Sequence, residues 1–412
     1  GFAWSPEPLG RNTVIRGAYS ISSYLEGTGT NLRLPLNPPF TTEFNTNYTG
    51  ELPGSRTEQG LTVLQSPTDP FSGAVIRLWD PKVRPAVVQQ WNLSVQHQFL
   101  KDLTLQVGYV GQHGTHLMVP MPYFQRQLLG ISADGTPITA PSPYLSGNPA
   151  LADINQISGT ESNGNQRYDA LQTTVQKRFS GGLQFQVAYT YSKGMTDSIG
   201  YYGAAGQSTP ASAYRQNLYD GRAEWGPTFF DATHLVSAYA VYELPVGRGK
   251  RFGADFHPAI NAVVGNWQLS GIYQAHTGFP LTVTGGDASG TNSRGARADC
   301  IAPATVFGKM NVPGVLGYQW FDPTAFGPAS PGTFGTCGVG TVRGPGLSTI
   351  DLSLQKFFPI TEAKRLQFRS EFINFTNTPI LNSPTTGLGP NLGQVISAQG
   401  ARTIQFALKF LF

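Results

Sequence analysis

The chain has 412 residues, 40% of them hydrophobic and only 13% charged, with a net charge of +4. Soluble domains carry roughly 25% charged residues, so the polarity here comes from Gln, Asn, Ser and Thr. A mean hydropathy of −0.18 and the absence of any run of about 18 apolar residues exclude a bundle of spanning helices, and so small and scattered a charge does not imply a nucleic-acid partner, so none is expected.

With 49 glycines and 31 prolines, many turns and hence β structure are expected. The chain begins Gly1-Phe-Ala-Trp4, without an initiator Met or a signal-peptide pattern, which predicts a mature chain or a fragment. Alternation of apolar and polar residues predicts strands near 2–4 and 13–23. In the strand predicted at 87–99, Trp91, Leu93, Val95 and Phe99 share one face, and Gln90, Asn92, Ser94, Gln96 and Gln98 the other. Leu103, Leu105, Val107 and Tyr109 continue the pattern at 103–111, Leu171, Thr173 and Val175 at 167–179, and Leu183, Phe185, Val187, Tyr189 and Tyr191 at 183–194. At 231–244 the alternation is weak: Val236, Ala238, Ala240 and Tyr242 suit one face, but Tyr239 and Val241 blur it. Strands at 266–277, 347–357 and 365–376 follow. The last, at 401–412, carries Ile404, Phe406, Leu408, Phe410 and Phe412 on one face against Thr403, Gln405, Ala407 and Lys409.

Connection lengths alternate. Residues 5–12, 100–102, 180–182 and 358–363 are short, whereas 24–86, 112–166, 195–230, 278–346 and 378–400 are long. Bacterial outer-membrane barrels have short periplasmic turns and long extracellular loops. The connection 245–265 breaks the rule and is expected to hold part of an unplaced strand. A soluble sheet would show shorter hairpin loops and more outward charge. An all-β, antiparallel transmembrane β-barrel with long extracellular loops is therefore expected. Eleven strands are half of 22, the count of outer-membrane transporters with a plugged lumen.

Few residues suggest chemistry. His113-Gly-Thr-His116 lacks the further ligands of a metal site and reads as the polar start of a loop. Gly285-Gly-Asp-Ala-Ser-Gly290 lacks the Lys-Ser/Thr of a phosphate loop and reads as a flexible loop. No cofactor and no enzymatic activity is expected. Cys300 and Cys337 both lie in a Gly/Pro-rich region, where an oxidised pair is favoured over two free thiols; such a bridge stabilises by about 3–4 kcal/mol in the loop-closure picture. Arg369 and Glu371 share the polar face of one strand, as an ion pair or as lumen charges. Loop aromatics Tyr201, Tyr202, Trp225 and Trp320 are candidates for substrate binding, with packing of the loops on one another as the alternative. Phe406, Leu408, Phe410 and Phe412 are candidates for an assembly signal read by the barrel assembly machinery.

Several stretches in order resemble large TonB-dependent outer-membrane receptors of the Oar-like group, which carry an N-terminal carboxypeptidase-regulatory-like domain. They include Gly1-Phe-Ala-Trp-Ser-Pro6, Thr13-Val-Ile-Arg-Gly-Ala-Tyr19, Gln90-Trp-Asn-Leu-Ser-Val95, Tyr109-Val-Gly-Gln-His-Gly-Thr-His116 and Tyr168-Asp-Ala-Leu-Gln172. Further along stand Tyr242-Glu-Leu-Pro-Val-Gly-Arg-Gly-Lys250, Gly265-Asn-Trp-Gln-Leu-Ser-Gly271 and Phe368-Arg-Ser-Glu-Phe-Ile-Asn-Phe-Thr-Asn377. The resemblance implies that residues 1–412 are the C-terminal half of a receptor barrel in the outer membrane of a Gram-negative bacterium, with the plug and N-terminal domain not present in this sequence. It implies TonB-energised uptake, TonB being reached only through those N-terminal segments, and outer-membrane lipid as a partner. A passive porin-like or structural outer-membrane protein, and a soluble secreted β-rich adhesin, are the alternatives. The extracellular ligand is not specified.

Overall fold

A computed structural model describes residues 1–10, 12–24, 34–40, 71, 74–142, 154, 156–198, 214–361 and 364–412. Eleven strands follow one another in chain order through one antiparallel sheet. They are β1 (Phe2–Trp4), β2 (Thr13–Tyr24), β3 (Ala86–Leu100), β4 (Leu103–Met121), β5 (Gln156–Ser180) and β6 (Leu183–Thr196), then β7 (His234–Glu243), β8 (Trp267–His276), β9 (Leu347–Pro359), β10 (Arg365–Ile373) and β11 (Thr403–Leu411). Among the described residues no pairing joins β1 to β11, so the sheet has two edges.

The register makes the alternation a property of whole rows. Leu93, Tyr109, Leu171, Tyr191 and His234 face one another successively across β3 to β7. Gln96, Gln106, Thr174, Ala188, Ser237, Gln274 and Thr349 form a row on the other face, reaching β9. Leu93 is 51% exposed and Leu171 44%. Against water such rows would forfeit about 25 cal/mol per Å²; against hydrocarbon they cost nothing. The weak alternation of β7 has its cause here: Tyr239 pairs with Gln186 and Ile272, and Ile272 with Asp351, so Tyr239 and Ile272 are apolar side chains on the polar face.

Two of the connections at the short end, 101–102 and 181–182, are two-residue turns. Gly181 and Gly182 both have positive φ, 61° and 81°, the conformation a tight hairpin demands. In the turn before β4, Asp102 accepts a hydrogen bond from the Lys177 ammonium, which holds its carboxyl below the ordinary value of 3.8. A depressed carboxylate contributes stability above its unfolded pKa and loses it as pH falls through the folded value. Asp102→Asn is therefore expected to lower the melting temperature slightly at pH 7 and to remove this turn's share of the loss below about pH 4. Melting curves at pH 7 and pH 3 check it; an unaltered pH dependence would count against it.

Four expectations need correction. Strand β4 runs to Met121 and β5 starts at Gln156, where 111 and 167 were the expected limits. Their ladder continues past the 9–11 residues a membrane needs, with shifts of register around Leu117. His113-Gly-Thr-His116 thus lies inside β4 and not at a loop start; His116 takes a φ of 58° at the register shift. Residues 285–290 are pinned rather than free: Asp287 Oδ1 accepts from Ser289 N (3.0 Å) and Oδ2 from Ser293 N (2.9 Å), and Ser289 is buried. Finally, the connection between β7 and β8 holds a helix, α1 (Pro258–Val264), and not a piece of strand.

The clustered hydrophobic core does not lie on the sheet. Leu281, Val283, Ala298, Phe321, Ala325, Phe326, Cys337, Val342 and Leu392 form it, all from the connections at the long-loop end. The apolar face of the sheet carries exposed residues such as Leu93, Leu171, Phe406 and Leu408, whereas the inner face of a soluble sandwich would be covered by a second sheet; the loops bury their own apolar residues against each other.

Candidate functional site

The loops 214–232, 278–346 and 374–402 build a cap above the long-loop end. Phe321 is fully buried and meets Phe326 edge-on, with ring centroids 5.6 Å apart. Cys300 and Cys337 are joined by a disulfide that ties positions 37 residues apart, with Cα atoms separated by 4.9 Å.

Beside this core sits a buried polar knot. Arg297 donates from Nη1 to Glu224 Oε2 (2.7 Å), from Nε to the Cys337 carbonyl (2.8 Å) and from its backbone N to Gln216 Oε1 (2.8 Å). Glu224 Oε1 accepts from the Gln216 backbone N (3.0 Å). Gln125, from beyond β4, donates to the Gln216 carbonyl (2.8 Å) and accepts from Leu218 N (2.8 Å). The side chains of Arg297 and Glu224 are 5% and 9% exposed. A charge this deep is tolerated only with its donors satisfied, which is the case here. The knot ties three connections together: the ion pair joins 278–346 to 214–232, and Gln125 adds the connection that follows β4.

A second tie anchors the cap to the sheet. Arg343 bonds Asp231 Oδ2 (2.6 Å) and the Asp231 carbonyl (2.6 Å), while Asp231 Oδ1 accepts from Gly194 N in β6 (2.7 Å). Trp320 donates its indole N–H to the Arg343 carbonyl (2.8 Å) and packs against the core cluster. Its indole is thereby committed to structure. Trp225, 43% exposed, presents its ring to solvent, and Phe229 and Phe230 stand edge-on near it in sequence, centroids 5.0 Å apart. Tyr201 and Tyr202 lie outside the described residues.

On the polar face of the wall, Arg369 and Glu371 form an exposed ion pair (3.3 Å). Glu371 joins Asp351, Ser353, Tyr239, Val241 and Ile272 around a depression of about 460 Å³. On the apolar face of β11, Phe406, Leu408 and Phe410 are exposed, and Phe412 follows at 93% exposure. Phe406 stacks on Phe368 of β10 (6.3 Å) and Phe410 on Phe412 (6.0 Å). Sequence reasoning missed the knot at Arg297, because its partners stand 73 and 81 residues away with no motif around either. Among the described residues no cluster of His, Cys, Asp and Glu is arranged to hold a metal.

A family model described as an outer membrane beta barrel domain matches residues 1–405. No curated protein matches the chain. Among solved structures, the chain is similar to the outer membrane transporter YddB of Escherichia coli, at 9% identity and a TM-score of 0.47, over 98% of this chain and 39% of that one. It is similar to the ferric-catecholate import receptor Fiu of E. coli K12 at 10% identity and a TM-score of 0.40, over 98% and 33%. The siderophore receptor PiuA of Acinetobacter baumannii gives 9% and 0.42, over 99% and 34%. The chain spans less than two fifths of the length of each.

Proposed function

This chain belongs to the outer membrane beta barrel domain family, and from that premise we propose that it is the C-terminal part of the barrel of a TonB-dependent receptor of the Oar-like group. The family is one of outer-membrane barrels and not of enzymes. The apolar rows of β2 to β11 face lipid, and the polar rows line the lumen. The long-loop end is extracellular and the short-turn end periplasmic.

The reading is carried by one observation above the rest: eleven consecutive strands in chain order, all but the three-residue β1 long enough to span, beneath a folded, disulfide-tied cap. A small porin would close on itself within such a count, whereas half of a 22-stranded receptor leaves two edges for a preceding half. In this reading the plug and the TonB-binding segment belong to that preceding part, and the apolar patch of Tyr239, Val241 and Ile272 on the lumen face is where the plug rests. The cap selects the extracellular ligand, with Trp225 as its exposed aromatic surface, and uptake is driven through TonB.

Planar-bilayer conductance of the native full-length protein tests this against the passive porin. A plugged receptor is expected to show no steady conductance until the plug is loosened with urea, and to bind the periplasmic domain of TonB. A permanently open channel without TonB binding would overturn the proposal.

A further inference from the structure

The connection between β7 and β8 is the one periplasmic connection that is long, and its contents are specific. Val246 bridges to Phe252, and α1 follows with His257 capping its start by accepting from Ala259 N (3.3 Å). At its C-terminus, the carbonyls of Val263 and Gly265 both accept from Lys356 Nζ, and the Val263 carbonyl also accepts from Trp267 Nε1 (2.9 Å). Trp267 pairs with Lys356, Lys356 with Phe368 and Phe368 with Leu408 across β8 to β11. All four stand on the apolar face, so α1 is folded against the outside of the barrel wall where the spanning strands end.

Lys356 explains why α1 stays there. It is 4% exposed, with its ammonium 4.8 Å from the Trp267 ring centroid and 5.2 Å from that of Phe358. A lysine on a lipid-facing row is costly; here the helix carbonyls and two ring faces satisfy it. A seven-residue helix has no stability of its own and depends on this clamp.

What the segment then presents outward is amphipathic. Ile260, Val263 and Val264 of α1 are exposed, as is Phe252 beside it. Arg248 and Arg251 are exposed too, and among the described residues neither has a carboxylate partner. Arg251 lies over the Phe252 ring at 5.4 Å, while Lys250 is engaged by Glu243 (3.2 Å). Residues 244–266 hold three Lys or Arg and a single acidic residue, Asp255. Apolar side chains on one side with basic ones at the rim fit the plane between acyl chains and headgroups, and the basic excess is complementary to phosphodiesters.

We propose that residues 245–266 are a lipid-binding foot: Phe252 and α1 enter the periplasmic leaflet beside the barrel wall, and Arg248 and Arg251 bind the headgroup phosphates of anionic glycerophospholipids. The proposal rests on the barrel orientation above, and its test separates the two. The native full-length protein is placed in nanodiscs, with bimane on Val263→Cys or, on the apolar face of β5, on Leu171→Cys. Both positions are exposed, Cys300 and Cys337 are already bonded, and any unpaired cysteine in the preceding part is replaced by serine, so only the introduced thiol is labelled. Bromolipids are expected to quench both labels several-fold, and aqueous iodide neither. If Leu171→Cys is quenched by bromolipid while Val263→Cys answers only to iodide, the foot is wrong and the barrel stands. If both answer only to iodide, the orientation itself falls. Arg248→Ala with Arg251→Ala is expected to reduce the preference for phosphatidylglycerol over phosphatidylcholine about thirtyfold; an unchanged preference would overturn the headgroup assignment.

Discussion

Replacing Arg297 by Met is expected to make the cap sensitive to protease under conditions where the wild type resists, at a cost of about 3–5 kcal/mol. The variant leaves Glu224 charged and 9% exposed, with its second oxygen still held by Gln216 N and no cation to balance it. It also orphans the Cys337 carbonyl and loosens three loops at once. The double variant Arg297→Met with Glu224→Leu removes both charges and is expected to regain most of the loss, because a buried pair and its apolar replacement are often of similar stability. Limited proteolysis and hydrogen exchange of the 278–346 loop read the outcome. A single variant as resistant as the wild type would mean that the disulfide and the Phe321 cluster alone hold the cap.

Replacing Phe410 and Phe412 by Ser is expected to remove most of the assembled protein from the outer membrane. Phe410 stands on the apolar row of β11 and stacks on Phe412, and β11 pairs only with β10 among the described residues. Each ring taken out of an apolar environment forfeits about 2 kcal/mol, and the changed end is also the candidate assembly signal. Heat-modifiable gel migration and outer-membrane abundance measure the effect; wild-type levels of the folded form would sink the assignment. Lys409→Ser, on the opposite face of the same strand, serves as the control and is expected to assemble normally.

How much of this was legible in the sequence follows from the range of each interaction. The strands were, because alternation is a local property that lipid on one side and water on the other impose on every residue. Their extracellular ends were not: β4 continues through His113-Gly-Thr-His116, where composition resembles a turn and cross-strand partners on both sides, Val87–Gln89 of β3 and Asn165–Arg167 of β5, keep the ladder going. The clamp on α1 was invisible for the same reason. Lys356 breaks the apolar row of β9 in sequence, and its partners at Val263 and Gly265 stand about ninety residues earlier. Of the site candidates, the Cys300–Cys337 pair could be read from shared location, whereas the structural commitment of Trp320 depended on the Arg343 carbonyl, which no pattern announces.

The separation of the buried core from the sheet has a calorimetric consequence. The positive heat capacity of unfolding arises when apolar surface passes from a dry interior into water. In the cap, Phe321, Val283, Leu281 and their neighbours make that passage. The lipid-facing rows of the wall do not, since they leave one apolar medium only if the membrane itself is lost. One polypeptide thus carries two bodies with different temperature laws. The cap weakens on cooling as well as on heating, like a water-soluble domain, while the wall beneath it follows the state of the bilayer.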